Sequence, residues 1–113
     1  MKQNNAHLYE GMYIISSQLS EDARQKTLDK IQAGITEHGG EVLKVHDWNR
    51  RRLCYEINGH REGHYYLLYF NLPTEAVKEL WEDYKLNEDL VRFVTLRAEE
   101  VVEKIEFKSL AEQ

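Results

Sequence analysis

Three arginines stand side by side at Arg50, Arg51 and Arg52, directly ahead of the alternating apolar residues Leu53, Tyr55 and Ile57. Guanidinium clasps a phosphate through two parallel hydrogen bonds, so the run is a candidate anion or nucleic-acid contact. One or two cations are enough to blunt an edge strand against unwanted pairing, and the third exceeds that need. Lys44, Arg61, Arg92 and Arg97 lie on neighbouring strand and turn positions. The candidate nucleic-acid-contact set is therefore Lys44, Arg50, Arg51, Arg52, Arg61, Arg92 and Arg97. Asn49 tolerates left-handed backbone better than most residues, which predicts a bulge that re-aims the strand and lets Arg51 leave the core side.

Other chemistry finds less support. Cys54 as a nucleophile needs an organised base beside it, and a lone strand cysteine is more often packing. The stretch HREGH (60–64) offers a histidine pair, but on a glycine turn instead of one helical face, so it is a poor metal site. A ferredoxin-like enzyme of acylphosphatase type needs a glycine-rich phosphate loop after the first strand, and SSQLSED provides none. The expectation is no enzyme, no metal, no cofactor and no small-molecule substrate.

The chain is net acidic at −5, but the charge is segregated. Thr74 to Asp89 holds six acids against two lysines, and Glu99 to Gln113 holds five against two. From Glu41 to Arg61 five bases face three acids, so a basic stripe can still meet phosphates. The length of 113 residues suits one domain. No apolar run approaches the ~20 residues of a membrane span, and the N-terminus has no signal-like stretch. A single cysteine excludes an internal disulfide and fits the reducing cytoplasm.

The elements that must carry the cations can be read in order. LYEGMYII (8–15) is a strand. Ser20 caps a helix with Glu21 and Asp22 in its first turn, Ala23, Thr27, Leu28, Ile31 and Ile35 follow at helical spacing, and the glycines of HGG (38–40) stop it. EVLKVHDW and RRRLCYEI are strand-like on either side of Asn49, NGHREG (58–63) is a turn, and HYYLLYFNL (64–72) is a further strand. Pro73 and Thr74 open a helix with Val77, Leu80, Trp81 and Tyr84 on one stripe, and LVRFVTLRA (90–98) is the last strand. The order β-α-β-β-α-β predicts an α+β, ferredoxin-like fold: a four-stranded antiparallel sheet with both helices on one face. We expect an extension over 1–7, the domain over 8–98, and a loose acidic tail over 99–113.

Strand alternation then assigns faces. Tyr66, Leu68, Phe70 and Leu72, with Tyr9, Tyr13 and Ile15, are expected toward the helices. Met12, Tyr65, Leu67, Tyr69 and Phe93 fall on the open face, where exposed apolar groups suggest a partner-protein interface; the plainer reading is cross-strand aromatic pairs that stiffen a small sheet. Leu53 is expected to be buried against the helices. An RNA-recognition-motif-like module for single-stranded RNA shares the fold, and Gly63, Tyr66, Leu67 and Tyr69 fit its aromatic strand. His64 and Tyr65 do not, and the first strand lacks the partner motif.

At the arginine run the sequence resembles the bacterial small-ribosomal-subunit protein six family. That family's pattern is close to G-x-R-x-L-A-Y-x-I, and NRRRLCYEI follows it through Arg51, Leu53, Tyr55 and Ile57. Asn49 stands where glycine is usual and Cys54 where Ala or Ser is usual; both are backbone- or size-compatible changes. The resemblance runs from about Leu8 to Arg97, through Tyr9 and Glu10, Gly63, Pro73 and the VRF at 91–93. It implies a ferredoxin-like structural protein of the small ribosomal subunit in the cytoplasm. Such a protein binds small-subunit (16S) ribosomal RNA together with small-subunit ribosomal protein eighteen, and is expected to be a monomer when free.

Overall fold

Ser20 sits in extended backbone and accepts a hydrogen bond from the Ala23 amide at 3.1 Å, which starts α1 (Glu21–Glu37). Thr27, Leu28, Ile31 and Ile35 form its buried stripe. At its far end Gly39 takes φ +91° and its amide donates to the Thr36 carbonyl, the left-handed stop that the HGG stretch predicts. The computed structural model describes residues 6–57 and 59–102. Residues 1–5, Asn58, the side chains of Cys54 and Tyr55, and the tail over 103–113 lie outside the described residues, and with them the expectations placed on Cys54 and on most of both termini.

The remaining elements are β1 (Ala6–Ser16), β2 (Glu41–Ile57), β3 (His60–Pro73), a 3-10 turn at Thr74–Ala76, α2 (Val77–Lys85) and β4 (Leu90–Arg97). The sheet has the order β2-β3-β1-β4 with every neighbouring pair antiparallel, the ferredoxin-like arrangement expected from the sequence. Three boundaries differ, the first because Ala6 and His7, in the expected extension, pair with Pro73 and Leu72 and start β1 two residues early. The β2–β3 connection is a tight turn at Gly59, with φ +82°, so His60–Gly63 extend β3. The α2 helix is preceded by the 3-10 turn instead of starting at Thr74.

One core lies between sheet and helices. Tyr9, Tyr13, Ile15, Tyr66, Leu68, Phe70 and Leu72 meet Leu28, Ile31 and Ile35 of α1 and Leu80 and Tyr84 of α2. The Tyr13 and Tyr84 hydroxyls are 2.9 Å apart inside it, so each buried O–H has a partner. Burial pushes both phenols above their ordinary pKa. Phe93 joins this core edge-on to Tyr84 at 5.1 Å and does not face outward as expected. It lies opposite Tyr13, and directly paired residues share a face. On β4 the open-face residues are therefore Arg92, Val94 and Leu96, joined by Val91, which the register shift between Ile14 and Ile15 leaves over.

A second buried cluster occupies the other face: Ile14, Trp48, Leu53, Tyr65, Leu67, Tyr69 and Val91. Leu53 is only 5% exposed but belongs here, not against the helices. The cause is the bulge. Asp47 lies opposite Tyr66 and Asn49 opposite Tyr65, so Trp48 is the extra residue and the alternation of β2 reverses beyond it. Ala98, Val101 and Val102 pack over the same face, so the start of the expected loose tail is docked on the sheet.

Candidate nucleic-acid interface

The bulge positions the arginines. Asn49 holds φ +65°, and its amide donates to Asp47 Oδ1 at 2.8 Å. Reversal of the alternation sends Arg50 and Arg52 to the helix side, opposite His64 and Glu62, and sends Arg51 to the open side opposite Gly63. All three remain exposed. Arg51 Nε donates to the Trp48 carbonyl at 2.9 Å, so this residue also satisfies the backbone group that the bulge leaves over. Arg50 Nε donates to Glu62 Oε1 at 2.8 Å in an exposed pair. A pair of this kind is worth at most about 1 kcal/mol and can be exchanged for another anion. Gly63, beneath Arg51, is required by close packing: a Cβ there would collide with Ile14 Cγ2.

The structure gathers only part of the expected cation set. Arg61, on the strand leaving the turn, is exposed at the same end of the hairpin. Arg92 lies opposite Ile14, in the row of Tyr65 and Asn49, at that end of the open face. Lys44 is opposite Tyr69, five residues along β3 from His64 and so roughly 17 Å away. Arg97, opposite Tyr9, is roughly 20 Å away, with its guanidinium on His7 Nδ1 at 3.0 Å. These two do not share a surface with the arginine run.

A residue outside the expected set joins the site. Arg24, in the N-terminal part of α1, donates from Nε to the Tyr66 hydroxyl at 3.1 Å. The Tyr66 ring stacks on His64 with centroids 4.7 Å apart. His64 Nε2 in turn lies 2.7 Å from Asp47 Oδ1, the oxygen that also receives the Asn49 amide. Burial raises the Tyr66 pKa, against the opposing pull of Arg24, so its oxygen is held as a neutral acceptor. The sequence carries one signal for this role: a cation early in a helix lies where the helix dipole disfavours it.

The expected partner-protein residues are less accessible than the alternation implies. Tyr65, Leu67 and Tyr69 do lie on the open face, but they are no more than 1% exposed. Trp48, Leu53 and Ile57 share their cluster, as do Ala98, Val101 and Val102. His46 Nε2 donates to the Val102 carbonyl at 2.8 Å, and the Tyr69 hydroxyl is hydrogen-bonded to the Val102 backbone. With these rings covered, neither Tyr65 nor Tyr69 presents a platform on which a base could stack. Met12 is half-buried opposite Val94, and Leu96 beyond it is 58% exposed. Among the described residues no three His, Cys, Asp or Glu side chains come together as a metal site.

The family model for ribosomal protein S6 matches residues 8–97. The small ribosomal subunit protein bS6 of Protochlamydia amoebophila is 64% identical over 113 residues, covering all of this chain and 99% of that one. That of Chlamydia muridarum is 55% identical over 112 residues, covering 99% of this chain and all of the other. The crystal structure of 30S ribosomal protein S6 from Thermotoga maritima superposes with a TM-score of 0.78 at 29% identity, over 82% of this chain and 88% of that one. With both its sequence and its fold matched over most of their length, this chain is a ribosomal protein and not an enzyme, and belongs to the ribosomal protein S6 family.

Proposed function

We propose that the chain is a structural component of the small subunit of the cytoplasmic ribosome. In this reading it holds small-subunit ribosomal RNA through the end of the β2–β3 hairpin and binds beside small-subunit protein eighteen. The observation that carries the RNA contact is the bulge at Trp48–Asn49, which presents Arg50, Arg51 and Arg52 outward on both faces of one strand next to Arg61. Guanidinium groups on a rigid hairpin suit phosphate oxygens, and such contacts position a protein without reading bases. The remaining apolar strip at Met12, Val94 and Leu96 is the surface we assign to the partner.

The protein's acidity makes cooperation part of the proposal. Few cations are available to drive RNA binding, so this chain alone is expected to bind weakly. A basic partner supplies charge, and each protein strengthens the other's binding by the same factor. Titrating labelled small-subunit RNA with this protein, with the partner and with both measures that factor. Replacing Arg50 and Arg52 by Gln should flatten the salt dependence by about 0.7 units per lost contact on single strands, or about 0.9 on duplex. Tight binding by this protein alone, indifferent to the partner and to the arginines, would refute the proposal.

A further inference from the structure

Between the start of α1 and the β2 bulge lies a cavity of about 300 Å³, lined by Ser16, Ser17, Leu19, Arg24, Asn49, Arg50 and His64. Six of these seven are polar, two are guanidinium groups, and none is a carboxylate. The groove between α1 and α2 is lined by Glu37, Asp83, Glu88 and Asp89 against Lys30. The concavity at the hairpin tip sets Arg50, Arg52 and Arg61 against Glu56 and Glu62. Two carboxylates are bound to lining residues, Asp47 on His64 and Glu62 on Arg50, but neither lines the 300 Å³ cavity itself. We propose that this cavity is a phosphate seat, in which Arg24 and Arg50 grip one backbone phosphate of the bound RNA. The proposal rests on the RNA-binding reading and names a contact which that reading does not contain.

The seat is organised before any ligand arrives. Arg24 spends one of its five N–H donors on the Tyr66 hydroxyl, which aims the guanidinium and leaves the terminal nitrogens to the cavity. Tyr66 is held by stacking on His64, and His64 by Asp47. The Ser16 hydroxyl accepts from the Gln18 amide at 3.2 Å, leaving its own O–H to donate. Arg50 reaches the cavity from the hairpin and can leave its exposed pair with Glu62 for a phosphate oxygen. One arginine thus comes from the helix and one from the bulge. An RNA strand lying along the hairpin would be pinned at the point where the hairpin meets the domain body, which a row of hairpin arginines alone cannot do.

The test is binding of full-length protein, with its partner protein present, to small-subunit ribosomal RNA from about 50 to 200 mM salt. Arg24→Gln should lower the salt slope by about 0.7–0.9 and weaken affinity about five- to eightfold at 0.1 M salt. Arg24→Lys, which keeps the charge, should restore the slope. Tyr66→Phe frees the guanidinium without removing it, so affinity should fall while the slope stays. A purely structural role for Arg24 would lower the melting temperature and leave the slope intact, and that result overturns the proposal. If Arg24→Gln binds as the unaltered protein does while Arg50→Gln/Arg52→Gln flattens the slope, the seat is wrong and the RNA reading stands. If the unaltered protein shows no salt-dependent binding at all, the RNA reading itself has failed. Should Arg24→Gln not fold, unchanged affinity in Tyr66→Phe overturns the seat and reduced affinity at constant slope supports it.

Discussion

Replacing Leu53 by Ala tests whether the open face of the sheet is a true core. Leu53 is 5% exposed and clusters with Trp48, Tyr65 and Val91, with Ile57 packed alongside. Truncating a buried leucine costs roughly 2–5 kcal/mol, more where the surroundings cannot relax into the space. Here they can in part, because the ladder is irregular between Arg52 and Ile57 at the overhanging end of the hairpin. We therefore expect about 2–3 kcal/mol, a substantial share of the roughly 5–15 kcal/mol that holds a domain folded. With a urea dependence of about 1–3 kcal/mol per molar, the unfolding midpoint should fall by around 1–2 M. Trp48 lies in the same cluster and Trp81 packs at 6.2 Å from Phe93 on the helix side, so fluorescence reports both faces. Leu68→Ala, in the other core, should add to Leu53→Ala within about 0.5 kcal/mol, since the sheet separates the two sites. A loss below about 1 kcal/mol would show that Leu53 is not buried. Coupling well beyond that additivity would put both leucines in one core, as strict alternation from Val45 implies.

The buried Tyr13–Tyr84 pair sets an alkaline limit. Both phenols titrate above the ordinary value of 10.0 in the folded chain, mainly through burial, so their contribution is complete below that pH and is lost as pH rises, because the unfolded chain ionises first. Above about pH 10 stability should fall by up to ~2.7 kcal/mol per unit from these two groups, and Tyr13→Phe/Tyr84→Phe should show a visibly shallower decline in melting temperature. Replacing Val101 and Val102 by Ser should cost about 1–2 kcal/mol and increase binding of a hydrophobic dye, because Leu67 and Tyr69 lose their cover. No change in dye binding would mean that this segment does not seal the face.

The sequence made the architecture legible where local chemistry and global fold agree. Ser20 capping, the glycines after α1 and the alternation of β3 each point to the element that forms. Asn49 also reveals itself, since a left-handed residue inside strand text implies a bulge. The consequence of that bulge was not legible. Whether one residue is inserted, and at which position, depends on pairing with β3, and this choice reverses the face of every later residue of β2. Leu53 therefore moved to the second cluster while its in-phase relation to Ile57 survived. Phe93 failed for the same kind of reason: a lone strand at the sheet edge has no internal signal for its face, and the deciding contacts, Tyr84 and Trp81, belong to α2. Arg24 was missed because its value lies in a partner, Tyr66, 42 residues away.

The arrangement also explains how a net charge of −5 can coexist with a phosphate-binding surface. The arginine run is on the β2 edge strand, while many of the carboxylates belong to the helices and to the loop after α2. Arg50, Arg51 and Arg52 are on β2, while Glu37, Asp83, Glu88 and Asp89 line the groove beside α2, which packs near β4 through Trp81–Thr95 and Tyr84–Phe93. Charges in water are screened over about 8 Å at physiological ionic strength, so only carboxylates close to the arginines weaken their hold on a phosphate. An RNA strand approaching the groove between α1 and α2 instead meets more carboxylates than cations, Glu37, Asp83, Glu88 and Asp89 against Lys30, with His38 set against Glu79 and Asp83 at 3.5 and 2.9 Å. The acidity narrows the orientations in which RNA is tolerated to the one that brings the β2 bulge forward. A partner on the open-face strip of Met12, Val94 and Leu96 sits on β1 and β4 while RNA occupies the β2 bulge, so the two ligands need not compete for one surface.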